Sequence, residues 1–266
     1  MTNDRAAVTM TTFAPTLDSE QARLLLHYYG ISYRESDHLV PFVLLPTLLR
    51  TGGTDIPAVS GPGVKVAKPR PIAEHYDALV PTEFRLIPAE PPLAEQFEAD
   101  WLAYNGTMSA GTAIFAYYHL LPERKLMAPI FAEPTSWFER LIMPVYYPVM
   151  SSLLSSRLKL SAEAADEAHG KILASFAETD QRVADGRLYL NGDRMTLGDI
   201  ALAAAAAPLL LPEGFGTKLP TLEQMPPALH TLMTELRTRP TAAFVQRFYS
   251  EGLPAARAKL AAASAG

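Results

Sequence analysis

The chain of 266 residues contains no cysteine. That absence excludes disulfides, thiolate metal sites and every mechanism with a protein cysteine nucleophile. Charge is sparse: Asp, Glu, Lys and Arg make up 19% of the residues, and the formal net charge is -5. No dense Lys/Arg stripe runs through the chain, so nucleic acid is not expected as a partner. Long apolar runs are missing as well. Ile200–Pro212 and Leu141–Leu154 are the longest, both contain proline, and both fall short of the roughly 20 residues a membrane span needs. The opening residues lack a basic start followed by an apolar run, so no secretory signal is expected and the chain reads as a soluble cytoplasmic protein. The histidines (27, 38, 75, 119, 169 and 230) form no His-x-x-x-His pair, and no metal site is expected. Gly61-Pro62-Gly63 has a turn's composition without a phosphate-loop pattern around it.

What is present is a core. Hydrophobic residues make up 48% of the chain, enough for one large domain or two ordinary ones. Val8–Phe13 is β-branched and aromatic and predicts a strand. A helix capped by Asp18 or Ser19 is expected to about Tyr29, ended by Gly30. Ile31–Arg34 predicts a second strand, and Val40–Arg50 a helix interrupted by Pro46. Ile56–Val59 and Val64–Ala67 predict a hairpin, followed by a helix from Pro71. Val80–Pro92 is proline-rich and reads as a linker. Beyond it the pattern is helical throughout: 93–120, 135–160, 162–185, 197–211, 227–239 and 242–250, and the last residues, 255–266, read as a frayed tail. Two composition regimes meet near residue 88, so residues 1–88 are expected to form an α+β domain and 89–266 an all-α domain.

The most informative stretch is Tyr189–Pro208, YLNGDRMTLGDIALAAAAAP. Thr196 and Asp199 have the Thr-x-x-Asp spacing of a capping box, in which the side chains satisfy each other's backbone N–H groups. Met195 and Ile200 flank it as a hydrophobic staple. The run Ile200–Ala207 carries no charge, so this helix is expected inside a core, with a structural role for Thr196 and Asp199.

An α/β unit followed by a helical unit with this capped, buried helix resembles the soluble glutathione transferases. Three further matches stand in the family's order. Ile56-Pro57 falls where the family has a hydrophobic residue before a cis-proline, Trp101–Lys125 resembles its long helix, and FVQRFYSEG resembles its C-terminal helix. The resemblance implies a thioredoxin-like N-terminal domain with an all-α C-terminal domain, glutathione as co-substrate along the sheet edge, and a homodimer. It implies that the backbone of Ile56, before Pro57, pairs with the cysteinyl part of the tripeptide. It also implies a hydroxyl at the start of the first helix that favours the thiolate. Thr16 stands seven residues before Arg23, the family's spacing for that catalytic residue. Turn and capping duty is the other reading of Thr16. Ser19 reads as an N-cap, and Phe13 has no hydroxyl to offer.

The chain departs from the family at Lys68-Pro69-Arg70. Members carry Glu-Ser or Asp-Ser at the first two of these positions and hold the γ-glutamyl end there. Proline offers neither hydroxyl nor N–H, and lysine reverses the charge. Lys68 and Arg70 are then the expected contacts to that end if glutathione binds; plain surface charge is the other reading. Among the aromatics, Tyr104 and Tyr118 are expected to face a cleft holding a small apolar electrophile. Two alternatives remain open at this stage. The fold could serve as a ligand-binding or interaction module without glutathione, or as a glutathione-independent lyase or isomerase.

Overall fold

The computed structural model describes residues 8–265. Its N-terminal part is built on a four-stranded sheet of order β2-β1-β3-β4. Strand β1 (Val8–Thr12) lies parallel to β2 (Tyr33–Asp37) and antiparallel to β3 (Ala58–Gly61), which pairs with β4 (Val64–Ala67). Met10, Thr11 and Thr12 of the central strand are fully buried. The hairpin turn places Gly63 at φ 78°, a conformation glycine takes without steric cost.

Helix α1 (Leu17–Tyr28) is capped by Thr16, α2 spans Leu44–Thr51, and α3 spans Pro69–Asp77. Each departs in detail from expectation. β2 begins two residues late and runs through charged Arg34, Glu35 and Asp37, because an edge strand need not be apolar. Pro46 sits within the first turn of α2, where its missing N–H leaves no bond unmade. Helix α3 starts at Pro69 rather than Pro71. Helix α1 packs against α3 and two helices of the C-terminal part, and so buries even Glu20, Gln21 and Arg23.

The C-terminal part is helical: α4 (Leu93–Trp101), a π-helical stretch Leu102–Met108, α5 (Ser109–Leu120), α6 (Arg124–Ala132), α7 (Trp137–Leu158), α8 (Ala162–Val183), α9 (Leu197–Leu210), α10 (Pro227–Leu236), α11 (Pro240–Arg247) and α12 (Leu253–Ala265). The expected frayed tail is instead helix α12, which buries Leu253, Ala256 and Leu260. Those positions fall on one helical face and pack toward α1. The connecting segment is not loose either. The buried Asp77 carboxylate accepts from Leu86 N (2.8 Å), Ile87 N (2.9 Å) and the Tyr29 hydroxyl (2.7 Å).

Helix α9 is the central helix of this part, with Ile200–Ala207 fully buried. The capping box is present. Its strong contacts come from the carboxylate: Asp199 accepts from Thr196 N (2.8 Å), the Thr196 hydroxyl (3.1 Å) and Leu190 N (2.6 Å). The third contact ties the preceding loop to the helix start. Among the described residues no helix is long and apolar enough to cross a membrane.

Candidate functional site

The N-terminus of α1 gathers three hydroxyls. Thr16 is the N-cap: its Oγ1 accepts from Ser19 N at 3.2 Å. Ser19, expected as the cap, sits in the first turn and is fully buried. Its Oγ lies 2.5 Å from Thr16 Oγ1, bonds Thr12 Oγ1 on the other side, and stands 3.1 Å from the Phe13 carbonyl. That carbonyl already accepts Thr16 N–H (3.3 Å). Ser19 has a single proton, which either the Phe13 carbonyl or Thr16 Oγ1 can accept; where Thr16 takes it, the chain runs from Thr12 to Ser19 to Thr16. In that chain the Thr16 proton is free to point into the cleft, beside the positive end of the α1 dipole. Capping and thiol contact are therefore compatible duties for Thr16.

Arg23 lies deeper. It bonds Glu35 (3.1 and 2.5 Å), Glu20 (3.1 Å), the Thr217 hydroxyl (2.9 Å) and the Ala14 carbonyl (3.1 Å). These contacts join the loop before Thr16 to β2 and to the helical part. The partnered carboxylates raise the Arg23 pKa against the opposing effect of burial, so its charge is permanent. Its role is to hold the loop.

The Ile56–Pro57 peptide is cis. Pro57 is buried, and its carbonyl accepts Lys68 N–H at 2.8 Å. Ile56 is half-buried, and among the described residues its own N–H and C=O take no protein partner. It offers an open backbone edge, the element that β-augmentation by a peptide requires.

The segment that follows is unlike a carboxylate site. Lys68 holds φ 71° and ψ 151°, a strained conformation for a residue with a Cβ. Its ammonium pairs with Asp55 (3.1 Å) in solvent. Asp18, at the cleft, has its pKa raised by burial, partly countered by the charge of Lys68. Pro69 and Pro71 occupy the first turn of α3 and carry no N–H. The Lys68 N–H is already used, so only Arg70 offers a free backbone donor. The Arg70 side chain is not a cleft contact, contrary to expectation. It grips Glu98 of α4 (2.9 and 2.6 Å), touches Glu74 (3.3 Å) and lies over the Phe97 ring. The start of α3 thus offers a carboxylate one free backbone donor and no hydroxyl.

Between the two parts lies a cavity of about 910 Å³. Thr16, Asp18 and Ile56 form its rim on the sheet side, and α5, α7, Pro208 and Phe215 wall the other. Tyr117 lines it and donates to the Pro15 carbonyl (3.3 Å). Tyr104 and Tyr118 do not line it. Tyr104 is buried on another side of its helix, bonded to Thr179 at 3.0 Å. Tyr118 turns its ring against His119. The cavity face runs through Asn105, Ser109, Ala113 and Tyr117, each four residues from the next, and neither Tyr104 nor Tyr118 falls on it.

Asn105 of the π-helical stretch and Ser109 and Thr112 of α5 are also among its lining residues. The hydroxyls of Ser109 and Thr112 are buried and have no protein partner. Nothing in the sequence distinguishes them from ordinary helical hydroxyls. Among the described residues no group of three or more His, Asp or Glu could hold a metal ion.

The fold is that of the glutathione transferases. Solved structures similar to this chain include glutathione transferase GSTFuA3 from Phanerochaete chrysosporium, 15% identical, with a TM-score of 0.60 over 94% of this chain and 96% of that one. Beta-etherase LigF from Sphingobium sp. strain SYK-6 is 18% identical, with a TM-score of 0.53 over 90% and 98%. A glutathione S-transferase from Methylobacillus flagellatus KT with glutathione bound is 14% identical, with a TM-score of 0.50 over 90% and 98%. No protein-family model and no curated protein matches the chain.

Proposed function

We propose that the protein is a glutathione-transferase-like enzyme that activates a thiol against a small apolar electrophile in the cavity between its α/β domain (1–88) and its helical domain (89–266). The observation that carries this is the alignment of three elements at one rim: the Thr16 hydroxyl at the start of α1, the open backbone of Ile56, and the mouth of the cavity. A free thiol has a pKa of about 8.5, and a donor at a helix N-terminus lowers it. The thiolate attacks the electrophilic carbon, the sulfur–carbon bond forms, and the leaving group departs with the bonding pair while the thiol proton passes to solvent. This chemistry needs a reduced thiol and hence a compartment such as the cytoplasm.

Calorimetric titration with glutathione tests the reading. A Kd of about 1 mM would give roughly 1.4 kcal/mol of stabilisation at about 10 mM ligand, some 3–5 °C in Tm. Binding lost in Ile56→Pro supports the reading. No heat and no stabilisation at that concentration would refute it.

One observation favours a second reading. Pro69 and Pro71 leave the α3 N-terminus a single free donor, at Arg70, which suits a ligand-binding module, or a lyase or isomerase, that uses the cavity without glutathione.

The assembly proposed is a homodimer. Eleven large apolar side chains are exposed on Phe42, α2 and α7, and Phe42 against Tyr146 (5.5 Å) joins the two helices into one face. Leu49 (77%), Trp137 (72%) and Val145 (84%) are the most exposed. The face offers on the order of 1,000 Å², against about 800 Å² per partner in a standard interface. A second copy covers it without any further component. Sedimentation should show a dimer that Leu49→Glu/Val145→Glu makes monomeric. A wild-type monomer, or one that binds lipid vesicles instead, refutes this.

A further inference from the structure

The mouth of the cavity runs into the apolar face of α2 and α7. Leu153 belongs to both: it lines the cavity and is 46% exposed. On α7 the face is a stripe, because Trp137, Leu141, Val145, Val149 and Leu153 stand four residues apart and all are exposed. At about 1.5 Å per residue the stripe runs roughly 24 Å along the helix, and it ends at the cavity. The second junction is the loop before α2. Val40 and Pro41 line the cavity, and Pro41 is exposed. The next residue, Phe42, belongs to the face. This loop is fixed on α7, since the Tyr146 hydroxyl donates to the Val40 carbonyl at 2.6 Å and Phe42 packs edge-on against the Tyr146 ring.

Face and mouth therefore meet at two places, Pro41–Phe42 and Leu153. A body that covers the face to its edge stands against the mouth. A site for a small apolar compound buries about 70–90% of its ligand, and in a single copy this one lies open to water on the Leu153 side. The body that fits is a second copy of the chain. The face offers on the order of 1,000 Å², against about 800 Å² per partner in a standard interface. Two-fold pairing sets the same patch on itself, and neither the α7 stripe nor the exposed leucines of α2 carry a charge to oppose it.

We infer that the second copy walls the cavity mouth on the Leu153 side, so that holding an apolar ligand and forming the dimer are coupled. The two-fold relation completes both sites of the dimer alike. Gly106 and Ala110, exposed lining residues that lie outside the face, leave a way in. Closure that removes roughly 60 Å² more of the ligand from water raises its affinity about tenfold. By linkage the ligand tightens the dimer in return, and with two sites full occupancy lowers the dimer dissociation constant about a hundredfold. The inference rests on the homodimer proposed above and on use of this cavity by an apolar compound; it needs no thiol.

The probe is N-phenyl-1-naphthylamine, a neutral apolar fluorophore, titrated against the full chain. Wild type should bind it about tenfold more tightly as a dimer than after dilution to the monomer. Leu49→Glu/Val145→Glu changes no residue of the cavity lining and should show the weaker affinity at every concentration. Sedimentation of wild type needs no variant: saturating probe should lower the dimer dissociation constant about a hundredfold. Ala113→Phe, on the cavity wall, should weaken the probe in dimer and monomer alike, which separates binding in the cavity from binding on the exposed face. A monomeric variant that binds the probe as tightly as wild type overturns the inference and leaves the homodimer standing, as does a dimer whose dissociation the probe leaves unchanged. Probe binding that survives Ala113→Phe, or no binding to the dimer at all, overturns it as well. A wild-type chain that stays monomeric at every concentration refutes the homodimer and this inference with it.

Discussion

Replacing Asp199 by alanine should unfold the protein at a lower temperature before it alters any binding. The side chain is fully buried and accepts three hydrogen bonds, two of them from backbone N–H groups. Alanine leaves Leu190 N–H and Thr196 N–H without partners at about 1–3 kcal/mol each, and removes a cap worth about 1 kcal/mol. An opposing effect reduces the loss. Burial, against the hydrogen bonds that favour the anion, pushes the Asp199 pKa up to about 6 from an ordinary 3.8. At 1.36 kcal/mol per unit, holding the carboxylate ionised at pH 7 costs about 3 kcal/mol, and alanine escapes that cost. With mid-range values, about 5 kcal/mol lost less about 3 kcal/mol regained leaves a net loss at pH 7 of about 2 kcal/mol, or roughly 4–8 °C in Tm for a chain of this size.

The pH dependence has a defined sign. The folded pKa is raised above the unfolded one, so the folded state binds this proton more tightly. Wild type therefore gains stability from Asp199 as pH falls through 6 toward 4, and the alanine variant does not. The Tm gap should widen between pH 7 and pH 5. Other buried carboxyls, such as Asp37, which burial pushes up to about 8, titrate in both proteins, so the difference isolates Asp199. Circular dichroism melts at the two pH values provide the measurement. A Tm change under about 2 °C at pH 7, or a gap that stays constant or narrows on acidification, would refute the reasoning.

Other expectations concern the cleft. Pro69→Ser restores an N–H and adds a hydroxyl at the start of α3, and should tighten glutathione binding about tenfold; an unchanged Kd in titration would show that the γ-glutamyl end lies elsewhere. Arg70→Ala breaks exposed pairs with Glu74 and Glu98 and should leave that Kd within about twofold while shifting stability by under about 1 kcal/mol; a large loss of affinity would return Arg70 to the site. Thr16→Val should raise the pKa of the bound thiol, read by thiolate absorbance. Ser19→Ala, acting only through Thr16, should raise it by less; equal thiol pKa values in wild type and both variants would remove this hydroxyl chain from the mechanism.

The parts of this structure that were legible in the sequence are those whose bonds close within a few residues. Thr196 and Asp199 satisfy each other across one helical turn, and the uncharged run after them has to be buried whatever surrounds it. The start of α1 was legible only to within three residues, since Thr16 takes the cap expected of Asp18 or Ser19. The β3–β4 hairpin turns on its own glycines. Spacing alone encodes such features, because the partners are covalently near each other. Polar edge strand β2 and terminal helix α12 were less legible, since what fixes them is pairing with β1 and packing toward α1.

The candidate site was decided at longer range. Arg70 looks like a ligand contact until α4 brings Glu98 to it across 28 positions. Tyr117, rather than Tyr104 or Tyr118, lines the cavity because packing turns the face of Asn105, Ser109, Ala113 and Tyr117 toward it. Sequence by itself determined the local hydrogen-bonded units and the burial they require. Which faces meet across the cleft, and which polar groups are left there without partners, depends on how those units pack, and only the tertiary structure decided it.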